Sequence, residues 1–538
     1  MSSFSMVERT RLLLARGGTL SSLPDRLAAA YGDRRMVEQP GGIGFAGGAS
    51  TLSFRAAADA VARAAEGLED RCRGRRVVLR GPNGYDFFLA CLAVSRAGGV
   101  FIPVNPHMSD DEVSYVVEDA GGEVLEVEEV VAAACSGATA ASHSRRRGAT
   151  GAGRSVPVVD PADVVAILYT SGTTGHPKGA VLTHRGLLDQ PSRMLLLASL
   201  AGRYEVVMGL PVAHIMGLEG LLGAAIAGVP TYFLPRFHPV EALDALEGRK
   251  ANAFLGVPAM YRMMLDAGAE QRDLRSVRIW MSAADVMPED LARRFKKMGA
   301  TVSVPGIGRS FGEAIFAEGY GMVELSGVMS IKVSPPFTGF GLGEFMGIPL
   351  PPYRYRVIGP DGRQVRHGEV GELVVNGPGV LRAYHGNEAA TRAVHWEDQW
   401  VRTGDLVRRG PLGIIYFAGR KKEVVKHGGY SVFPAEVEAV LRDCPGVADA
   451  AVVGRPDPVK GEVPVAFVEP APDARLDASR VAAHARRHLS DYKVPVAVYV
   501  MDRLPRTGTN KVAKHQLREV AARTDQGRGE GATVQAPA

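Results

Sequence analysis

Val164-Val-Ala-Ile-Leu-Tyr-Thr-Ser-Gly-Thr-Thr-Gly-His-Pro-Lys-Gly-Ala-Val-Leu-Thr-His184 decides how this chain is read. Its first five residues are apolar and mostly β-branched, as a buried strand requires. A helix is expected to start near Arg185-Gly-Leu-Leu188. Between the two, Gly172, Gly175 and Gly179 permit positive φ and let backbone N–H groups approach an anion. Thr170, Ser171, Thr173 and Thr174 add hydroxyl donors, and Lys178 adds a mobile cation suited to phosphate. Gly175 and Lys178 do not have the spacing of the Walker loop, so this is a different phosphate-binding design.

Upstream, helical and strand patterns alternate. Phe54 to Leu68 has helical periodicity, Arg76–Arg80 reads as a strand, Tyr85 to Ala97 as a helix and Val100–Val104 as a strand. Such alternation implies parallel sheets covered by helices. Gly42-Ile-Gly-Phe-Ala-Gly47 has G-x-G-x-x-G spacing but neither follows a strand nor opens a helix, so it reads as a hairpin turn. From Ala132 to Arg154 the composition turns to Ala, Gly, Ser and Arg without periodicity, which reads as a surface linker.

Composition sets the outer limits. A chain of 538 residues is too long for one core, so two or more domains are expected. A net charge of +5 is too small for a nucleic-acid partner. Cys72, Cys91, Cys135 and Cys444 are scattered without a C-x-x-C pair; neither a disulfide framework nor a zinc site is indicated, and a reducing cytoplasm fits. The N-terminus lacks the basic-then-apolar order of a signal peptide. The uncharged run between Glu219 and Arg236 is broken by Pro230 and glycines and reads as buried core, not a membrane span.

As a whole, Tyr169-Thr-Ser-Gly-Thr-Thr-Gly-His-Pro-Lys-Gly179 resembles the phosphate loop of the adenylate-forming (ANL) superfamily, which holds acyl-CoA synthetases, peptide-synthetase adenylation domains and beetle luciferases. Further motifs follow in the family order. Leu210-Pro-Val-Ala-His-Ile-Met-Gly217 resembles the segment in which His214 borders the acyl carboxylate. Phe237-His-Pro239 and Gly256-Val-Pro-Ala-Met-Tyr261 resemble segments near the acyl pocket, although Met260 and Tyr261 read equally well as core. Met281-Ser-Ala-Ala-Asp285 stands where the family has Ser-Gly-(Gly/Ala)-Ala-Pro against the adenine. Gly319-Tyr-Gly-Met-Val-Glu324 resembles a motif whose tyrosine, here Tyr320, flanks the adenine and whose glutamate, here Glu324, binds Mg²⁺. Val401-Arg-Thr-Gly-Asp405 supplies Asp405 for the ribose hydroxyls. Gly419-Arg-Lys-Lys422 places Arg420 at the ribose or phosphate and Lys422 at the hinge, and Gly428-Gly429 lies where the pantetheine arm passes. Leu504-Pro-Arg-Thr-Gly-Thr-Asn-Lys511 ends on the lysine that meets carboxylate and α-phosphate.

The resemblance implies an α/β protein: a large N-terminal domain (1–420) of helix-covered β-sheets, a small mobile C-terminal α/β lid (421–525) and a disordered tail (526–538). It implies an acyl-CoA ligase that uses ATP (releasing AMP), Mg²⁺ and coenzyme A. A carboxylic acid is first converted to acyl-AMP; the lid then turns about Lys422 and the CoA thiol displaces AMP. Lys511, His214, Thr174 and Lys178 are the expected catalytic residues. Thr170, Ser171, Gly172, Thr173, Gly175, Gly319, Tyr320, Gly321, Val323, Asp405, Arg420, Gly428 and Gly429 complete the nucleotide and CoA contacts.

Two departures carry information. Val323 replaces the family's threonine, whose hydroxyl bonds the α-phosphate, and Asn510 replaces a glycine beside Lys511. A donor aimed at developing charge is worth about 2.7–4 kcal/mol of barrier. Read as a tolerated swap, Val323 changes nothing. Read at face value, adenylation is weak or absent and thioesterification of a supplied acyl-AMP survives, with a separate adenylating enzyme as partner. Three rivals stand beside this: an adenylation enzyme that loads a carrier-protein thiol, a non-catalytic ligand-binding paralogue, and an oxygenase of the luciferase type.

Overall fold

The protein is described by a computed structural model. The structure describes residues 18–106, 108–145, 159–170, 177–198, 205–303, 310–339, 345–397, 399–471, 474–506 and 512–524; side chains are included except at 137–145, 194–198, 302–303, 310–311 and 412. Two compact units emerge: Met1–Arg354 with Val375–Val401, and Tyr355–Val374 with Arg402–Ala538. Tyr355–Val374 and the residues from Arg402 cluster with the C-terminal part, through pairing of strands far apart in sequence.

Among its described residues the first unit holds two large sheets and one short two-stranded pair, Val302–Ser303 with Ser310–Phe311. One has six strands in the order Ala383–Tyr384, Lys178–Thr183, Val164–Thr170, Val100–Pro103, Arg76–Arg80, Glu123–Glu126. The alternating stretch forms its parallel part as expected, with Arg76–Arg80 flanked in parallel by the strands at 100–103 and 123–126. The strand of the opening sequence motif runs antiparallel to Lys178–Thr183, which returns the chain after the glycine-rich stretch. The other sheet has nine strands and centres on Val206–Met208, Ala253–Gly256, Ile279–Ala283 and Ile315–Met322, all parallel. A core of Phe254, Tyr261, Trp280, Phe295 and Phe316 packs beside it. Tyr261 is fully buried and donates to the Met281 carbonyl at 2.7 Å, so core is the correct reading for it.

Local signals explain the elements. Ser109 and Glu112 form a reciprocal capping box at the start of Asp110–Ala120, and Gly121 closes that helix with φ +57°. The strands Arg35–Glu38 and Thr51–Ser53 pair antiparallel around Gly42–Gly47, so the hairpin reading holds. The linker reading does not hold between Ala132 and Arg145. There the chain is helical (Val127–Arg145), because its alanines carry high intrinsic helix propensity despite the missing amphipathic pattern. The run from Glu219 to Arg236 is the buried helix Ile215–Ala227 followed by Thr231–Phe233, and no described helix is long and apolar enough to cross a membrane.

A five-stranded sheet drawn mainly from the second unit joins Arg354–Ile358, Val370–Asn376, Trp400–Arg409, His395–Trp396 and Ile415–Arg420. A second sheet pairs Tyr430–Val432, Val425–His427, Gly461–Pro470, Val447–Asp457 and Ala497–Val500. Helices Pro434–Arg442 and Ala478–His488 contribute to an apolar core on that sheet, and Lys514–Thr524 to another.

Candidate active site

In the first unit the strand Ile315–Met322 delivers Gly319, Tyr320 and Gly321 and ends in a tight turn, Val323–Leu325. Gly321 is required by close approach: a Cβ there would collide with the Gly327 carbonyl of the neighbouring antiparallel strand. Val323 is half-buried, and its backbone carbonyl accepts the Ser326 N–H at 2.9 Å. Glu324 is buried, and its Oε1 accepts the hydroxyl of Tyr384 at 2.7 Å. Tyr384 lies on the short strand that pairs with Lys178–Thr183, and the Lys178 ammonium stands 5.7 Å from its ring centroid. One tyrosine therefore connects the lysine of the opening sequence motif to the glutamate about 150 residues later. Burial and the Glu324 carboxylate both push the Tyr384 hydroxyl well above its ordinary pKa, so it stays a donor.

His214 caps the helix Ile215–Ala227, with Nδ1 accepting the Met216 N–H at 3.3 Å. That bond makes Nε2 the proton-bearing nitrogen of the neutral ring. At the 281–285 turn, Ala284 takes a left-handed backbone (φ +72°) and Asp285 is exposed, accepting the Val286 N–H at 2.9 Å. Thr170 ends its strand with the hydroxyl 3.4 Å from the Lys178 carbonyl. Ser171, Gly172, Thr173, Thr174 and Gly175 lie outside the described residues, as do Asn510, Lys511 and the 526–538 tail.

The second unit carries the remaining expected residues. Asp405 and Arg420 face each other on paired antiparallel strands. Asp405 is 1% exposed, and its Oδ1 is 2.6 Å from Arg420 Nε. Lys422 follows within the turn Lys421–Glu423, where burial lowers the ammonium pKa and Arg420 adds to the effect. Gly428 and Gly429 have φ +55° and +86°, and a Cβ on either would meet open space. Glycine is needed there for backbone conformation, not for want of room.

Two residues escaped the sequence reading. Tyr384 is one. The other is Lys514, which is paired with Glu423 and Glu438 at 2.8 Å each and ties the Lys421–Glu423 turn to the helix Lys514–Thr524. Burial alone would lower its pKa, but the two carboxylates outweigh burial and raise it. A stronger signal for Tyr384 was available in Arg382-Ala-Tyr-His-Gly-Asn387, a polar, glycine-containing segment with an aromatic residue.

No described cluster of three or more His, Cys, Asp or Glu could cage a metal. Mg²⁺ commonly takes one or two carboxylates and completes its shell with substrate phosphates and water. Glu324, buried and oriented by Tyr384, suits that single-carboxylate role.

Glu324, Tyr384 and Lys178 thus stand together within one α/β unit. The AMP-binding enzyme family matches residues 25–385, and the AMP-binding enzyme C-terminal domain matches 436–511. The chain is similar to the feruloyl-CoA synthase of an Amycolatopsis species, 33% identical over 90% of this chain and 97% of that protein. It is 31% identical to the indoleacetate–CoA ligase of Aromatoleum aromaticum, over 91% and 97% of the two chains. The ATP-bound MatB structure from Rhodopseudomonas palustris superposes with TM-score 0.78 at 26% identity, covering 93% of this chain and 98% of that one. The chain belongs to the AMP-binding enzyme family, and through it to the adenylate-forming superfamily of acyl-CoA ligases.

Proposed function

We propose that this protein forms an acyl-CoA thioester through an acyl-AMP intermediate, and that its acid is an aryl or arylalkanoic acid. The observation that carries the chemistry is Tyr384, hydrogen-bonded to Glu324 and lying against Lys178. It gathers a carboxylate suited to Mg²⁺ and a cation suited to phosphate around one fixed group. The substrate class rests on the feruloyl- and indoleacetate-specific relatives, both aligned over nearly their whole length. Tyr320 flanks the adenine, Thr170 to Gly175 with Lys178 hold the phosphates, and Asp405 and Arg420 take the ribose. His214 borders the acid's carboxylate, Lys511 serves adenylation, Lys422 is the hinge between a lid and residues 1–420, and Gly428-Gly429 admit the pantetheine arm.

Adenylation is the slow half-reaction in this reading. Valine has threonine's shape without its hydroxyl, so Val323 offers the α-phosphate no donor. A separate adenylating enzyme then supplies acyl-AMP in the cytoplasm. The test is a panel of cinnamic, phenylacetic, indoleacetic and straight-chain acids supplied with Mg·ATP and either CoA or a carrier protein. Thioester with CoA, favouring aryl acids, is expected. AMP release that depends on carrier protein and not on CoA would replace this reading with carrier loading.

A further inference from the structure

The turn Lys421–Glu423 is held on both flanks by residues of the second unit. On one side the Lys421 ammonium is 3.0 Å from Glu372 Oε2, which also takes the Arg402 guanidinium at 2.6 Å. On the other, Glu423 Oε2 is 2.8 Å from Lys514 Nζ, and Lys514 reaches Glu438 at the same distance. Lys422, between the two, makes no ion pair among the described residues.

The flanks differ in strength. The Lys421 side chain is 59% exposed, and a pair so open to water contributes little. The Lys514 cluster is better shielded, with side chains 20%, 23% and 9% exposed at Lys514, Glu423 and Glu438. Burial alone would raise the Glu423 carboxyl pKa; the Lys514 ammonium outweighs it and lowers the pKa, so Glu423 stays charged at neutral pH. Glu438 is itself fixed, its Oε1 accepting the Val452 N–H at 2.7 Å. Leu517 and Ala521, on the helix that starts at Lys514, are fully buried. One ammonium therefore fastens Glu423 to two helices and, through Glu438, to the sheet they cover.

A swing about one residue delivers a rigid body only if the next residue already moves with that body. We propose that Lys514 is a positioning residue for thioester formation: by fixing Glu423 to the lid it confines the swing to Lys422 and brings Gly428-Gly429 to one place. The glycines join Val425–His427 to Tyr430–Val432, and Val425 and Val432 share a core with Val437 and Leu441 of the Glu438 helix. Without the tether, flexing spreads along the turn and the glycines arrive imprecisely. A misplacement of about 1 Å can cost about 100-fold in rate. The chain on either side of Lys511 has its own anchors: Arg506 pairs with Asp449 at 3.0 Å, and the Ala513 N–H reaches the Pro505 carbonyl at 2.7 Å. Adenylation should therefore depend much less on Glu423.

This inference rests on the hinge reading of Lys422 above, and the experiment separates the two. Glu423→Ala cuts the tether and leaves the Lys514–Glu438 pair in place, which guards against misfolding. In the full-length protein, thioester formation from preformed cinnamoyl-AMP and CoA should fall at least about tenfold, with pyrophosphate exchange changed by less than about threefold. Glu423→Gln keeps an acceptor for Lys514 and should stay within about threefold of the native rate. Trypsin, which cuts after Arg420, Lys421 and Lys422, should cleave the turn of Glu423→Ala at least about fivefold faster than that of the native protein. Equal losses in both half-reactions, or an undiminished thioester rate in Glu423→Ala, overturn the inference. A native protein that makes no thioester from acyl-AMP overturns the activity; faster cleavage in Glu423→Ala then still supports the tether, and unchanged cleavage overturns both.

Discussion

Two regions of this chain treat the family pattern differently. Around Tyr320–Glu324 the pattern is kept at the tyrosine, glycines and glutamate and broken at Val323. From Arg420 to Gly429 it is kept almost throughout, down to two consecutive glycines whose positive φ other residues adopt only at a cost. The first region handles ATP in the proposed reaction and the second handles the hinge and CoA. The contrast suggests that the two half-reactions are under unequal demand, with thioester formation the better preserved.

The largest expected effect comes from Lys511→Ala, which should lower adenylation by about 100-fold or more while changing thioester formation from preformed acyl-AMP by less than about threefold. Equal losses in both assays would erase the division of labour between the regions. Val323→Thr restores the missing donor and should raise ATP-dependent adenylation by about ten- to 100-fold, read by pyrophosphate exchange, with no gain from acyl-AMP. Gly429→Ala tests the other region. A left-handed backbone costs a non-glycine residue about 1–2 kcal/mol, so thioesterification should fall about tenfold with adenylation intact. Tyr384→Phe sharpens the first region from within: losing the hydroxyl on Glu324 should cost about 1 kcal/mol of stability in denaturant titration and several-fold in adenylation.

What the sequence revealed, and what it hid, follows from the range of the interactions. Strands Arg76–Arg80 and Val100–Pro103 and the helix from Tyr85 were legible because local periodicity specifies them. The helix over 132–145 was missed because its alanine-rich composition lacks an apolar stripe to read. The segment Arg382–Asn387 marks Tyr384 as a polar-flanked aromatic, but its partners, a strand about 200 residues earlier and a carboxylate 60 residues earlier, are set by long-range pairing. His214 reads as a substrate residue from its motif, and it is also the cap of the helix Ile215–Ala227. The clustering of Tyr355–Val374 with the residues from Arg402 has the same long-range origin, since strands before and after Val375–Val401 pair together.

The most direct test of unequal half-reactions is a paired assay on one purified sample with a preferred aryl acid. One arm contains acid, Mg·ATP and CoA; the other contains the preformed acyl-AMP and CoA. The account predicts thioester from acyl-AMP at a rate about tenfold or more above the ATP-dependent arm, with Val323→Thr closing the gap. Equal rates in the two arms of the native protein would contradict it, and Val323 would then be a harmless replacement in an ordinary acyl-CoA ligase.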